Sequence, residues 1–380
     1  MHIYKQFIFL TIFYLYFNII MDKKTLQLNG PVNFFRLKNN EKEIYIFGDI
    51  HNKIEIQKEC NDLESFNFDK YLRYFFQKNK KNVDFMLETS AYIKKFDNFE
   101  NYIYINKLTR VFADLKLNNP HYKYLKIHYI DIRANTIIQE PLIIIHYINF
   151  YNFDYSIFQL RKIILLYQNQ LKIIEKFKNN ENAEINKENI LDVVFHKIIV
   201  KYKNKKNKKI INEYFDIMCY ERIKHVMTLI TKLILIFKNN KLNEKSTMEH
   251  VNKEKELFKQ YINLKDNNDK LIDKISKLHN KILILILDIG VYTMDCYFFR
   301  RFLDKEYIKN TIVYVGLLHA GNYLHFLVKY YNYKIIEFEF IDNISSKQLE
   351  NIIKKTNSYM DIYKYINRDE QCIKIKQLFT

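Results

Sequence analysis

The run Thr311–Leu327, TIVYVGLLHAGNYLHFL, decides the fold. Its first part, Ile312 to Val315, is β-branched and apolar and reads as a strand buried on both faces. The strand ends at Gly316, and His319 stands three residues on. Ala320 and Gly321 are then expected to turn the chain into a helix carrying Tyr323, Leu324, Phe326 and Leu327 on an apolar face. The same form, strand then Gly-x-x-His, occurs early in the chain at Glu43–Asn52, EIYIFGDIHN, with Ile44–Phe47 as strand, Gly48 as turn and His51 as histidine. The chain has only five glycines, and Gly48, Gly316 and Gly321 take three of them for these two places. Glycine is required where backbone turns sharply or approaches another group closely. Strand ends of this kind carry the ligand sites of open α/β sheets. The pattern therefore places His51 and His319 at neighbouring strand ends, facing one cleft.

Outward from these motifs the alternation continues. VNFFRL is a short strand before EIYIFG. Ile54–Phe76 is a helix with Leu63, Phe66, Tyr71, Leu72 and Phe75 on its apolar face. VDFMLET, Val83–Thr89, is a strand ending in Glu88, and YLKIHYIDIR, Tyr124–Arg133, is a strand ending in Asp131 and Arg133. Strands alternating with helices specify an α/β domain with a mixed, mostly parallel sheet flanked by helices. Residues 141–285 break the pattern. They contain no glycine and, after Pro141, no proline, and their apolar residues recur at helical spacing between lysine- and asparagine-rich breaks. This is a large all-helical insertion between a first half of the α/β domain, 26–140, and a second half, 286–345. In the second half, Leu283–Phe302 forms a helix and YKIIEFEFI, Tyr333–Ile341, an edge strand. Residues 346–380 read as a helical tail.

Six side chains gather at or just past strand ends: His51, Glu88, Arg133 and His319, with Asp49 and Asp131 beside them. Two imidazoles and a carboxylate are a familiar ligand set for a divalent metal such as Zn, Mn or Co, leaving a position for water whose pKa the metal would lower. Without a metal the same groups serve acid–base chemistry, one His as general base, Glu88 orienting it and Arg133 holding an anion or oxyanion. Both forms stay open at this point. A carboxylate ending a strand also serves simply as a helix cap, and Arg133 as an ion-pair partner. The remaining histidines show no paired spacing and read as surface or core residues.

This arrangement resembles the superfamily that joins TraB and the TIKI proteases, the ChaN-like haem-binding lipoproteins and the erythromycin esterases. Its shared features are an early and a late Gly-x-x-His, a Glu after the second core strand and an Arg in a later one. They look like Gly48–His51, Gly316–His319, Glu88 in FMLET and Arg133 in YIDIR, and cover residues 43–135 and 285–340. Where many relatives place Glu after the first glycine, this chain has Asp49, one methylene shorter. The resemblance implies a hydrolase of a peptide, ester or related carbonyl bond. The alternative is a catalytically silent binding protein that keeps the fold. GDIHN also resembles the opening motif of calcineurin-like metallophosphoesterases, but their GDxxDRG motif is missing. The run MDCYFFRRF is similar to what uncharacterised giant-virus proteins carry before the late motif.

Composition bounds the rest. At 380 residues and 48% hydrophobic the chain is long enough for a substantial core, which excludes a disordered protein. The excess of Ile, Lys, Asn and Tyr, with no Trp, is the coding bias of an AT-rich genome, shared by amoebal giant viruses, other large DNA viruses and some protists. The formal charge of +18 admits an anionic partner, but KYKNKKNKK comes with no base-stacking platform, helix-turn-helix signal or zinc-finger spacing, so nucleic acid is disfavoured against a small-molecule or peptide substrate. Cys60, Cys219, Cys296 and Cys372 are scattered without a CxxC pair and read as reduced thiols of a cytoplasmic protein, in a host cell if the source is viral. Residues 1–20 are apolar. They read as a membrane anchor, as an interfacial helix, or as an extension created by start-site choice, since Met21 opens the polar MDKK.

Overall fold

The computed structural model describes residues 25–54, 60, 65–90, 103–118, 122–133, 137–146, 148, 153–239, 265–339, 344–359, 361–362, 370–376 and 378. The apolar segment 1–20 and Leu63 lie outside them. The chain forms two compact units, one of residues 1–131 and 305–380 and one of residues 132–304.

The first unit is built on a six-stranded sheet of order β6-β5-β7-β3-β2-β8. Its strands are β2 (Asn33–Lys38), β3 (Glu43–Asp49), β5 (Val83–Ser90), β6 (Leu125–Asp131), β7 (Asn310–Gly316) and β8 (Lys334–Glu339). The four strands β3, β7, β5 and β6 run parallel, and β2 pairs antiparallel with both β3 and β8. The fold is thus mixed α/β with a mostly parallel sheet, as the alternation of strands and helices implied. The late strand β7 inserts between β3 and β5, so both Gly-x-x-His strands lie side by side, with Gly48 opposite Val315 and Asp49 opposite Gly316. β8 is an edge strand, as its alternation indicated. Its Ile335 N–H is covered by Glu350 of helix α10 (Ser346–Lys355) at 2.8 Å, which blunts that edge.

Both faces of the central strands are covered, which is why their sequences are continuously apolar. On one face lie α1 (Phe68–Lys78) and α2 (Tyr104–Asn118). Here Phe47 packs on Phe68 with ring centroids 4.5 Å apart, Phe68 on Tyr314 at 5.4 Å and Phe85 on Phe112 at 5.1 Å. Helix α9 (Leu317–Tyr331) packs against β3 and β7 and is buried nearly all round, as a helix without a polar stripe must be.

Several expectations change. Helix α9 begins at Leu317, so His319 sits in its first turn and Gly321 lies buried inside it rather than at a turn. Gly316, the last residue of β7, already makes the turn. The helix read across Ile54–Phe76 is described from Phe68, after a two-residue strand β4 (Phe66–Asn67). The tail is not all helix: Cys372–Ile375 forms β9, antiparallel to β1 (Leu26–Asn29), in a small sheet of order β4-β1-β9. Four alternating residues carry too little local signal, and β9 exists because β1 offers it an edge. Finally, Cys60 and Cys372 are not free thiols but form a disulfide across 312 residues of sequence, with Cα atoms 4.9 Å apart.

The second unit is helical and runs from Ile132 to Asp304, wider at both ends than 141–285. It contains α3 (Gln139–His146), α4 (Phe153–Asn179), α5 (Ile190–Ile199), α6 (Lys205–Phe215), α7 (Glu221–Asn239) and α8 (Lys265–Asp304), with one π-turn at Asp216–Tyr220 joining α6 to α7. The apolar faces of α4 and α7 pack on each other, and α7 packs on α8. Asp273–Asp304 is long and apolar enough to cross a membrane by length and composition. Its most apolar stretch is 72% buried, the mark of a core helix. The lysine-rich KYKNKKNKK closes the end of α8: the N–H groups of Lys203 and Asn204 donate to the Asp304 carboxylate at 2.8–3.0 Å, and Arg300 donates to the Lys201 carbonyl.

Candidate active site

The parallel pairing of β3, β7 and β5 brings three strand ends together, and each delivers one side chain. His51 follows β3 by two residues, Glu88 stands near the end of β5, and His319 lies three residues past the end of β7. Glu88 joins the two histidines. Its Oε2 lies 3.3 Å from His51 Nε2, and its Oε1 lies 3.2 Å from His319 Nε2. Both bonds end on one carboxylate, so the two Nε2 atoms stand at most about 9 Å apart by ordinary hydrogen-bond geometry. Glu88 Oε2 also accepts the N–H of Gly316, the residue that caps α9, at 2.5 Å. The capping role open to a strand-end carboxylate is therefore real here, but it is one of three bonds.

The glycine of the late motif is explained by this geometry. A Cβ at Gly316 would lie 2.8 Å from His51 Nε2 and 3.2 Å from Glu88 Oε2, so any side chain there would push the cluster apart. At Gly48 a Cβ would collide with the Asn33 side chain and approach Ala320 of α9 to 3.2 Å. Both glycines are close-approach residues.

His51 adopts a positive φ of 53°, a sparsely populated conformation for a side chain with Cβ. Asp49 holds it there. Asp49 Oδ1 accepts the His51 N–H, and Oδ2 faces His51 Nδ1, both at 3.2 Å. A shorter carboxylate at this position suits a bond back to the residue two places on. Each ring nitrogen of His51 thus faces a carboxylate, and only the imidazolium donates to both. Burial alone would lower the pKa of this imidazole. The bonds and charges of Asp49 and Glu88 outweigh it and raise the value to about 10. The histidine is charged at neutral pH. It is also the accessible member of the cluster: its side chain is 35% exposed, against 7% for Glu88, 4% for His319 and 0% for Asp49.

A metal between the histidines would need both imidazoles neutral, with lone pairs and a carboxylate oxygen converging at about 2 Å. Here each Nε2 faces its own oxygen of the Glu88 carboxylate. Among the described residues no group of three His, Cys, Asp or Glu is placed to hold a metal ion. As placed, the cluster is closed by hydrogen bonds to Glu88. Nor does Asp49 stand free as a metallophosphoesterase ligand, since both its oxygens are engaged by His51.

The other candidates take the following places. Asp131 ends β6, paired with Ser90. Arg133 lies two residues further on, half-buried, and belongs to the helical unit. Gly321 lies inside α9. Two participants had no legible signal. Gln371 donates from Nε2 to Asp49 Oδ1 at 3.1 Å from 322 residues away in sequence. Tyr314, on β7, is buried beside Asp49, and burial and that carboxylate hold its phenol well above the usual range. A second pair, buried Asp84 with half-buried His128 at 2.6 Å, joins β5 to β6.

Residues 26–379 match DUF5847, a family of unknown function. The chain belongs to that family. Its curated relatives include three proteins of Acanthamoeba polyphaga mimivirus. Uncharacterized protein R706 is 25% identical, covering 93% of this chain and 96% of the relative. Uncharacterized protein R160 is 28% identical over the same shares, and Uncharacterized protein R161 is 24% identical over 93% and 97%. These relatives agree with a large-DNA-virus source. No solved structure matches the chain. The likeness to the TraB/TIKI, ChaN-like and erythromycin-esterase superfamily rests on the sequence motifs alone.

Proposed function

We propose that this protein is a hydrolase of a peptide, ester or related carbonyl bond, working by proton transfer at His51. The observation that carries the reading is the single carboxylate, Glu88, shared by two Gly-x-x-His histidines at the ends of adjacent parallel strands. His51, charged and reached by solvent, donates its Nε2 proton to the leaving-group oxygen or nitrogen as the bond from that atom to the carbonyl carbon breaks. The attacking water bonds through its oxygen to the same carbon and returns one proton to the imidazole, so that an acid and an alcohol or amine leave. Glu88 accepts three donors and aims the imidazolium. His319 fixes the second oxygen of that carboxylate, and Asp49 fixes the tautomer and tilt of His51. Acid–base assistance of this kind is worth roughly 10²–10⁴ in rate.

The test is a panel of ester and amide substrates presented to purified wild type, His51→Ala, His319→Ala and Glu88→Gln, with circular dichroism confirming folding and metal content measured alongside. Hydrolysis by wild type, lost on the order of 10²-fold in His51→Ala and Glu88→Gln, supports the reading. Wild-type activity that is unchanged in folded His51→Ala contradicts it. A stoichiometric metal lost from the histidine variants would assign the same residues to ligation. A silent panel without metal favours a binding protein that keeps the fold.

A further inference from the structure

We propose that Gln371 positions the Asp49–His51 pair, and that the Cys60–Cys372 disulfide clasps Gln371 in place, so that reduction of this bond loosens the site. The proposal rests on the hydrolase reading for its biological meaning, but its geometry stands apart from any substrate.

Gln371 is fully buried. Its Nε2 donates to Asp49 Oδ1 at 3.1 Å and to the Gly30 carbonyl at 2.8 Å, while Gly30 N–H donates back to the Gln371 carbonyl at 3.0 Å. The amide orientation is fixed by this chemistry, because a flipped amide would aim oxygen at a carboxylate and a carbonyl. Among the described residues Gln371 Oε1 meets no hydrogen-bond partner, so the amide sits there for what it donates. The acceptor, Asp49, is the residue that brackets His51 through its N–H and Nδ1. A chain of three side chains therefore runs from the C-terminal segment to the exposed imidazole.

The next residue, Cys372, opens β9, four residues paired with the four of β1, with Ile373 and Ile375 buried in the core. Asn29 of β1 lies opposite Cys372, and its Oδ1 accepts the N–H of Cys60 at 2.8 Å. The disulfide closes this corner covalently, tying the segment after His51 to the residue beside Gln371. Strands this short are weak alone, and the cross-link removes the freedom that would let them part. Both bridged cysteines are half-buried, whereas Cys219 and Cys296 are sealed in the helical unit. A dithiol can reach this bond. Its thiolate attacks one sulfur and the S–S bond breaks. Two electrons and two protons pass to Cys60 and Cys372, and the dithiol leaves as a cyclic disulfide. Where disulfides persist is also where reductants are scarce, so the clasp would keep the site ordered in an oxidising setting and relax it in the reducing interior of a cell.

The experiment follows the imidazole ¹⁵N and ¹H signals of His51, assigned by loss in His51→Ala, in the full chain. Wild type is compared before and after dithiothreitol, with Cys60→Ser/Cys372→Ser and with Gln371→Met, which keeps side-chain volume and removes the donor. Alkylation and intact mass count two reactive thiols in denatured wild type before reduction and four after. The expected result is that the His51 signals shift or broaden in the reduced protein, the double Ser variant and Gln371→Met, while those of His128 stay. Any substrate found by the panel should lose at least tenfold in rate in the same three states. Unchanged His51 signals in folded Gln371→Met with its disulfide intact overturn the positioning role. Four reactive thiols before reduction, or a double Ser variant indistinguishable from wild type, overturn the clasp. A chain without hydrolytic activity would sink the hydrolase reading and leave these signals to decide the proposal.

Discussion

At the scale of residues, the cluster is defined by which nitrogen faces which oxygen. His51 lies between Asp49 and Glu88, and its pKa of about 10 has a consequence for stability. The folded value lies above that of a free histidine, so the folded state holds the proton more tightly. The stabilisation is fully present below the unfolded pKa of about 6.5 and is lost as pH rises through about 10. Thermal melts of wild type should fall across that window, and melts of Glu88→Gln should fall less, since one of the two anions is gone. A Glu88→Gln curve parallel to wild type would separate the carboxylate from the charge on His51. The two motif histidines were legible because a rare residue, glycine, marks both of them. Asp49 was legible as a neighbour but not in its role, because a bond from a side chain to a residue two places on depends on the positive φ of His51. Gln371 was not legible, since nothing local marks a glutamine that folds back onto the other end of the chain.

Among elements, the parallel strands were readable from their apolar runs, and the order β5-β7-β3 follows from the two motifs needing neighbouring ends. The short strands were not. β1 and β9 hold each other and hold the disulfide, and neither carries enough periodicity to stand out. Joining Cys60 to Cys372 closes nearly the whole chain into a loop. The chain-entropy account assigns such a closure up to about 5 kcal/mol, an upper bound given the usual shortfall. Cys60→Ser/Cys372→Ser should therefore melt several degrees below the oxidised wild type, and dithiothreitol should lower wild type to meet it. Equal melting of oxidised and reduced wild type would mean the bond does not form in the protein.

For the whole molecule, the charge of +18 invites a search for an anionic partner, but the most basic run has structural work. Its backbone N–H groups cap Asp304 at the end of α8, and the lysine side chains of Lys201, Lys203 and Lys205 point to solvent. Asp304 is buried, so Asp304→Ala leaves two N–H donors unpaired and should cost about 2–3 kcal/mol. A chemical-denaturation midpoint equal to that of wild type would show the cap to be dispensable. The helical character of residues 141–285 was plain in the sequence from their spacing and their lack of glycine. Its reach to Asp304 was not, because the long helix α8 begins among polar residues and ends among aromatic ones without a break to mark the boundary.

The account turns on one shared carboxylate, and an NMR titration of the His51 imidazole tests it most directly. In wild type the midpoint should lie near pH 10, and in Glu88→Gln it should move down toward the ordinary histidine range. A wild-type midpoint near 6.5, unmoved by Glu88→Gln, would contradict the coupling of His51 to Glu88 and with it the acid–base site.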